Sequence, residues 1–185
     1  MIDEVMLEAE EKMEKAVAVA RGEFGKIRSG RANPELFTSL YVDYYGAPTP
    51  LQQLATVSIP EARTVLISPY DRSAMKDISR AIAESDLGVN PTDDGQVLRI
   101  NMPVLTEERR RDYVKLAKTK AEEARISVRG IRRKAKEMLD RIKKDGEAGE
   151  DEVDRAEKEL DALTKKYVEA VDSLLAGKET ELMEI

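Results

Sequence analysis

The chain has 185 residues, enough for one or two domains with a real core and too few for many accessory modules. Charged residues make up 37% and aromatics 4%, a balance of long amphipathic helices that argues against a sandwich or barrel, and the net charge is −6. Cysteine and histidine are both absent, which excludes disulfides, thiolate metal sites, the commonest general acid–base residue and the commonest nitrogen ligand.

In the first segment, about Ile2 to Arg28, Ile2, Val5, Met6, Ala9, Met13, Ala16, Val17, Ala20, Phe24 and Ile27 fall on one face at helical spacing. Gly22 and Gly25 either permit close approach of another helix or loosen the last turns. The helix is expected to stop in Ser29-Gly30-Arg31-Ala32-Asn33-Pro34, where Gly30 suits a left-handed helix end and Pro34 discourages continuation. Met1-Ile2-Asp3-Glu4 is acidic and has no basic segment followed by an apolar core. No apolar run approaches the roughly 18 residues of a membrane span, so a cytoplasmic chain with no membrane partner is expected.

Between Glu35 and Val104 the period shifts from 3.6 towards 2. Leu40, Val42 and Tyr44 alternate with Tyr41 and Asp43, and Val57 and Ile59 follow. Thr64–Ser68 is a β-rich run, and Gln96–Asn101 alternates again. Tyr45–Pro50 and Pro60-Glu61-Ala62 read as punctuation, and Asn90–Gly95 as a turn. Asp71–Asp86 places Ala74, Ile78, Ala81 and Ile82 at helical spacing after a cap at Asp71 or Ser73. This is a small β/α/β module.

The longest periodic segment runs from Thr106, a good N-cap followed by Glu107 and Glu108, to Lys144. Tyr113, Ala117, Ala124, Val128, Ile131, Ala135, Met138 and Ile142 form its apolar stripe. At about 1.5 Å per residue it is nearly 60 Å long and needs partner helices along it. After the break at Asp145–Gly149, Val153, Ala156, Leu160, Leu163, Tyr167, Ala170 and Leu174 form a heptad seam. Three apolar seams at the two ends of the chain predict an elongated three-helix bundle, residues 1–30 and 106–185, with residues 31–105 an inserted domain. The fold class is α+β. The paired connections Ser29, Gly30, Arg31 and Val104, Leu105, Thr106 can act as one hinge.

Charge is uneven. Residues 109–144 hold 15 basic and 5 acidic side chains, whereas 147–185 hold 5 basic and 13 acidic ones. Lys118, Arg125, Arg129, Arg132 and Lys136 gather on a second stripe of the long helix, placed well over 90° from the apolar one. Oppositely charged helices attract, but an acidic neighbour docked on the apolar seam is expected to flank these arginines without covering them. A linear array of guanidinium forks suits the phosphates of an RNA partner, contacted without reading sequence. No Gly-rich phosphate loop or catalytic constellation appears, and neither a cofactor nor a metal is expected. Acidic pairs such as Asp93-Asp94 read as turns. Tyr41, Tyr44 and Tyr45 lie in a locally acidic module, with 9 acidic and 6 basic residues from 31 to 106, and are expected to serve packing rather than base stacking.

Five segments then carry a resemblance: Lys26-Ile27-Arg28-Ser29-Gly30-Arg31-Ala32, Tyr44-Tyr45-Gly46-Ala47-Pro48-Thr49-Pro50-Leu51, Asp86-Leu87-Gly88-Val89-Asn90-Pro91, Leu105-Thr106-Glu107-Glu108-Arg109-Arg110 and Val128-Arg129-Gly130-Ile131-Arg132-Arg133. In this order, over nearly the whole chain, the sequence resembles the bacterial ribosome recycling factors. The resemblance implies an L-shaped protein with a three-helix-bundle domain and a hinged β/α/β domain; with no catalytic motif an enzyme is not expected, and a monomer is. With elongation factor G and GTP hydrolysis, such a protein splits the post-termination ribosome into subunits for reuse. By motif position it implies large-subunit ribosomal RNA contacts at Arg129 and Arg132, with Arg28, Arg31 and Arg133 as further ones. Arg125 joins them from the stripe. The alternative from another class is a helical adaptor or chaperone that binds protein through its bundle.

Overall fold

The computed structural model describes residues 1–27 and 29–184. They divide into two compact units, Met1–Ile27 with Arg111–Glu184 and residues 29–110. The boundaries fall at 27/28 and 110/111, a few residues outside the junctions expected from the period change.

The first unit is built from α1 (Ile2–Gly25), α5 (Glu107–Lys144) and α6 (Glu150–Met183). Thr106 caps α5 by accepting the Arg109 N–H at 3.2 Å, and Glu107 and Glu108 meet the positive end of the helix dipole. At the other end Gly146, at φ 67°, closes the helix. Glu147 N–H donates to the Ile142 carbonyl at 3.1 Å and Gly146 N–H to that of Lys143 at 3.2 Å, satisfying two orphan acceptors. Lys143 then bridges to Glu150 and Asp154 at 3.3 and 3.4 Å, fastening the start of α6.

Helix α1 runs parallel to α6: the Tyr167 hydroxyl donates to Glu14 Oε1 at 3.1 Å, and Met1–Asp3 share a hollow with Glu152 and Glu159. Helix α5 runs against both, with Lys120 beside Glu23 and Arg132 beside Asp161. The seam is rich in alanine. Ala9 and Ala20 of α1, Ala117, Ala121, Ala124 and Ala135 of α5, and Ala156 of α6 are buried among Met13, Val17, Phe24, Val128, Leu139, Leu160 and Val171. Gly22 is not a close-approach residue, since a Cβ there would meet nothing within 4 Å.

Two parts of the predicted seam differ. On α5, Met138 is 44% exposed and Leu139 is buried, with Ala121 filling the gap between Ala117 and Ala124. On α6 the predicted Leu163, Ala170 and Leu174 give way to Thr164, Val171, Lys178 and Leu182. At about 100° per residue Thr164, Val171, Lys178 and Leu182 share the stripe of Val153 and Leu160, while Leu163, Ala170 and Leu174 fall on its half-buried flank. Lys178 enters the core by pairing with Glu181 at 3.3 Å, and Thr164 by donating to the Leu160 carbonyl at 2.8 Å.

The second unit holds α2 (Glu35–Thr38), the hairpin β1 (Tyr41–Tyr44) and β2 (Ala47–Pro50), α3 (Leu51–Leu54), β3 (Ala55–Glu61), β4 (Thr64–Pro69), α4 (Met75–Ala83), β5 (Thr92–Asp93) and β6 (Leu98–Asn101). The antiparallel sheet has the order β3-β4-β6-β5, and α4 packs on the hairpin. Phe37, Val42, Leu51, Val65, Ile67, Ile78, Ile82, Leu98 and Ile100 are fully buried. Asp71 is the cap, accepting the Ser73 N–H at 3.0 Å ahead of a short 3₁₀ turn and α4.

Residues 47–50, read as punctuation, form a strand. Pro48 and Pro50 lie opposite Asp43 and Tyr41, two residues apart, so both ring nitrogens take the outward parity of a two-stranded ribbon, where no donor is required. Tyr45 at φ 50° and Gly46 at φ 81° make the tight turn that suits strand twist. Three tyrosines are not core residues: Tyr41, Tyr45 and Tyr70 are 67%, 80% and 70% exposed.

Candidate RNA-binding face

The basic stripe lies on α5, whose axis is held by α1 and α6 together. The two flanks of that helix meet different neighbours. Towards α6, Arg125 places Nη2 2.6 Å from Asp172 Oδ1 and donates from Nε to the same oxygen at 2.7 Å. Its Nη1 reaches Glu122 at 3.1 Å. These bonds raise its pKa above the ordinary guanidinium value, and its side chain is only 19% exposed. The expectation that an acidic neighbour flanks the stripe without covering it is corrected here. Helical neighbours of α5 sit closer to the stripe than its angle from the seam suggested, and short aspartates on α6 reach Arg125.

Arg132 donates from Nε to Asp161 Oδ1 at 2.7 Å, and its side chain is 37% exposed. Neither terminal nitrogen of Arg132 has a hydrogen-bond partner among the described residues, so Asp161 orients the guanidinium and leaves its outer edge to solvent. Arg129 is 56% exposed and meets only Glu122, at 3.7 Å. Arg133, Lys118 and Lys136 are exposed. Ion pairs at such distances on an open surface contribute about 0–1 kcal/mol, so Arg129 and Arg132 are readily drawn to a stronger anion. Arg125 is far less available. Arg28 lies outside the described residues.

Arg31 belongs to the connection rather than to the stripe. It is exposed, and its N–H donates to Ser29 Oγ at 3.4 Å. Gly30 has φ 81°, and a Cβ there would lie 3.5 Å from Leu105 Cγ, so the two connecting segments pass side by side. Ser29 is buried, Leu105 is half-buried, and Val104 and Thr106 are exposed. The only orphan buried side-chain atom among the described residues is Arg110 Nε, one turn into α5.

The arrangement defines a class: an α+β protein whose long charged bundle is interrupted by a small antiparallel domain, with an open row of guanidinium groups and no clustered metal ligands among the described residues. No helix is long and apolar enough to cross a membrane.

The family model for ribosome recycling factor matches residues 20–183. The chain is 66% identical to the ribosome-recycling factor of Kineococcus radiotolerans and 60% to that of Acidothermus cellulolyticus, in each case over 100% of both chains. Among solved structures it is similar to a ribosome recycling factor in solution, with a TM-score of 0.80, 40% identity and coverage of 100% and 98%. It is also similar to a T. thermophilus ribosome recycling factor, in models that include E. coli elongation factor G bound to the E. coli post-termination complex. That match has a TM-score of 0.71, 41% identity and full coverage of both chains. The chain belongs to the ribosome recycling factor family.

Proposed function

We propose that this protein acts in the cytoplasm on the post-termination ribosome and, with elongation factor G and GTP hydrolysis, separates it into subunits for another round of translation. The observation that carries the reading is identity of 66% over the full length of a ribosome-recycling factor, joined to an exposed row of arginines on α5. The bundle, residues 1–30 and 106–185, is the part that holds large-subunit ribosomal RNA. Arg129 and Arg132 are its main phosphate contacts, and Arg133, Arg31 and Arg28 are secondary. Arg125, fastened to Asp172 and Glu122, serves the bundle more than the RNA.

The chain has no histidine or cysteine, and the reading assigns it no reaction of its own. A factor without chemistry converts motion supplied by a partner into displacement at its contacts. Residues 31–105 are the body that elongation factor G moves, and Ser29, Gly30, Arg31, Val104, Leu105 and Thr106 are the hinge. A left-handed glycine packed beside Leu105 supports this placement.

Cysteines introduced across the hinge into the natively cysteine-free chain and cross-linked test the whole reading. The cross-linked protein is expected to pellet with ribosomes and to fail to split them with elongation factor G and GTP, as read by light scattering. Full splitting by the verified cross-linked form refutes the hinge and leaves rigid wedging, and loss of splitting by the uncross-linked wild type refutes the function.

A further inference from the structure

On the flank of α5 opposite the α6 aspartates, a groove of about 450 Å³ opens between α1 and α5. Its volume lies in the range of small-ligand sites, roughly 300–1,000 Å³. The floor is apolar, formed by Val5 and Ala9 of α1 with Ile131 and Met138 of α5. The partial exposure of Met138, out of register with the buried seam, is exposure into this groove. The α1 rim is electrically neutral, because Lys12 pairs with Glu8 at 2.7 Å. The α5 rim carries Arg133 and Lys134, both exposed and neither in an ion pair among the described residues. Charge on this rim is therefore uncompensated, in contrast to Arg125 and Arg132 on the other flank. Arg129 lies one turn before Arg133 on the same outer face, so the open guanidinium row continues from the stripe to the groove.

Between the row and the floor stands Gly130. It costs the middle of a 38-residue helix about 1 kcal/mol relative to alanine, yet a Cβ there would meet nothing within 4 Å. Neither packing nor backbone conformation requires a glycine at this position. What a side chain at 130 would occupy is the space at the groove's mouth.

We propose that this groove receives one unstacked nucleotide of ribosomal RNA. Its phosphate lies on Arg129, Arg133 and Lys134, and its base lies against the Ile131–Met138 floor beneath the guanidinium plane of Arg133, with Gly130 keeping the entrance open. Single-stranded RNA is held in this manner, by cations along the backbone and by flat or apolar surfaces under splayed bases. A neutral protein segment would gain nothing from the unpaired cations, whereas the evenly charged backbone of an RNA strand meets the whole row. The proposal rests on the reading of α5 as an RNA-binding helix and adds a second contact to it.

The test compares full-length variants for binding to purified large subunits at fixed salt, with thermal melting alongside. Gly130→Leu is expected to raise the melting temperature by roughly 2–4 °C, through helix propensity, while weakening binding about tenfold by blocking the mouth. Arg133→Ala is expected to weaken binding several-fold without a change in melting. If Arg132→Ala weakens binding while Gly130→Leu and Arg133→Ala do not, the groove is wrong and the stripe stands. If none of the three weakens binding, the RNA reading itself fails. Independently, a benzophenone on a single cysteine at Ser127→Cys, in the groove wall, should cross-link to large-subunit ribosomal RNA. Cross-linking to ribosomal protein alone overturns the proposal.

Discussion

The two flanks of α5 carry the same residue types and differ in what faces them. Towards α6, Asp161 and Asp172 reach the arginines, and Arg125 is bonded on three sides by two carboxylates. Away from α6, Arg129 meets a carboxylate only at 3.7 Å, and Arg133 and Lys134 meet none among the described residues. A basic helix thus carries graded charge: Arg125 is bonded on all three nitrogens and holds the bundle together, Arg132 is oriented through Nε alone and keeps its terminal nitrogens, and Arg129, Arg133 and Lys134 are left for a partner. Local net charge cannot separate them, because it counts Arg125 and Arg133 alike.

The sharpest way to break this contrast is the double substitution Arg129→Ala with Arg132→Ala. Each removes a charge-assisted phosphate contact of roughly 1.5–3 kcal/mol, so ribosome binding should fall by at least about a hundredfold while far-UV circular dichroism stays unchanged. The slope of log affinity against log salt should fall with it. Unaltered binding across a salt series means that both flanks are solvated surface.

A smaller effect separates charge from geometry. Arg132→Lys keeps the cation but removes the planar fork that Asp161 orients, and binding should weaken about tenfold, measured by pelleting. Parity with the wild type means that only the field of the helix matters.

Arg125→Ala should show the reverse pattern. Loss of the bonds to Asp172 and Glu122 is expected to cost about 1–3 kcal/mol of stability in urea denaturation, with ribosome affinity within about twofold of the wild type. A large loss of affinity with unchanged stability would move Arg125 to the RNA-facing flank.

The least visible effect concerns the α1–α6 contact, which involves neither arginine group. Burial raises the Tyr167 pKa to about 12, and the neighbouring Glu14 and Glu10 reinforce the shift. An unfolded tyrosine titrates near 10, so the contribution of this phenol to stability is complete below pH 10 and is lost as pH rises towards 12. Tyr167→Phe should remove that component of the alkaline decline in stability, read by denaturant midpoints between pH 9 and 11. An identical decline in both proteins would show that the phenol does not report on the α1–α6 contact.

Most of the bundle was legible because helical periodicity records burial directly. Ala9, Met13, Val17, Ala20 and Phe24 are buried where their spacing placed them, as are Ala117, Ala124, Val128 and Ala135. The misses on α6 are alternate positions of the heptad, Leu163, Ala170 and Leu174, because a straight helix buries a stripe of period about 3.6 residues and leaves these on its flank. The insertion was less legible. Pro48 and Pro50 in β2 break a rule that holds only for central strands, and Tyr41 and Tyr45, expected to serve packing, are exposed.

The sequence by itself determined the α1 seam and most of that of α5, the first turns of the α6 seam, the capped start of α5 at Thr106, its stop at Gly146, the change of period that marks the insertion and the family motifs. Each depends on neighbours within a few residues, and short-range geometry is written in spacing. Only the tertiary structure decided which arginines are free. Arg125 and Asp172 are 47 residues apart in the chain, Arg132 and Asp161 are 29 apart, and the α1 residues that form the groove beneath Gly130 lie at the other end of the sequence. A charge is available only if no opposite charge is packed against it, and that packing is a property of three helices together.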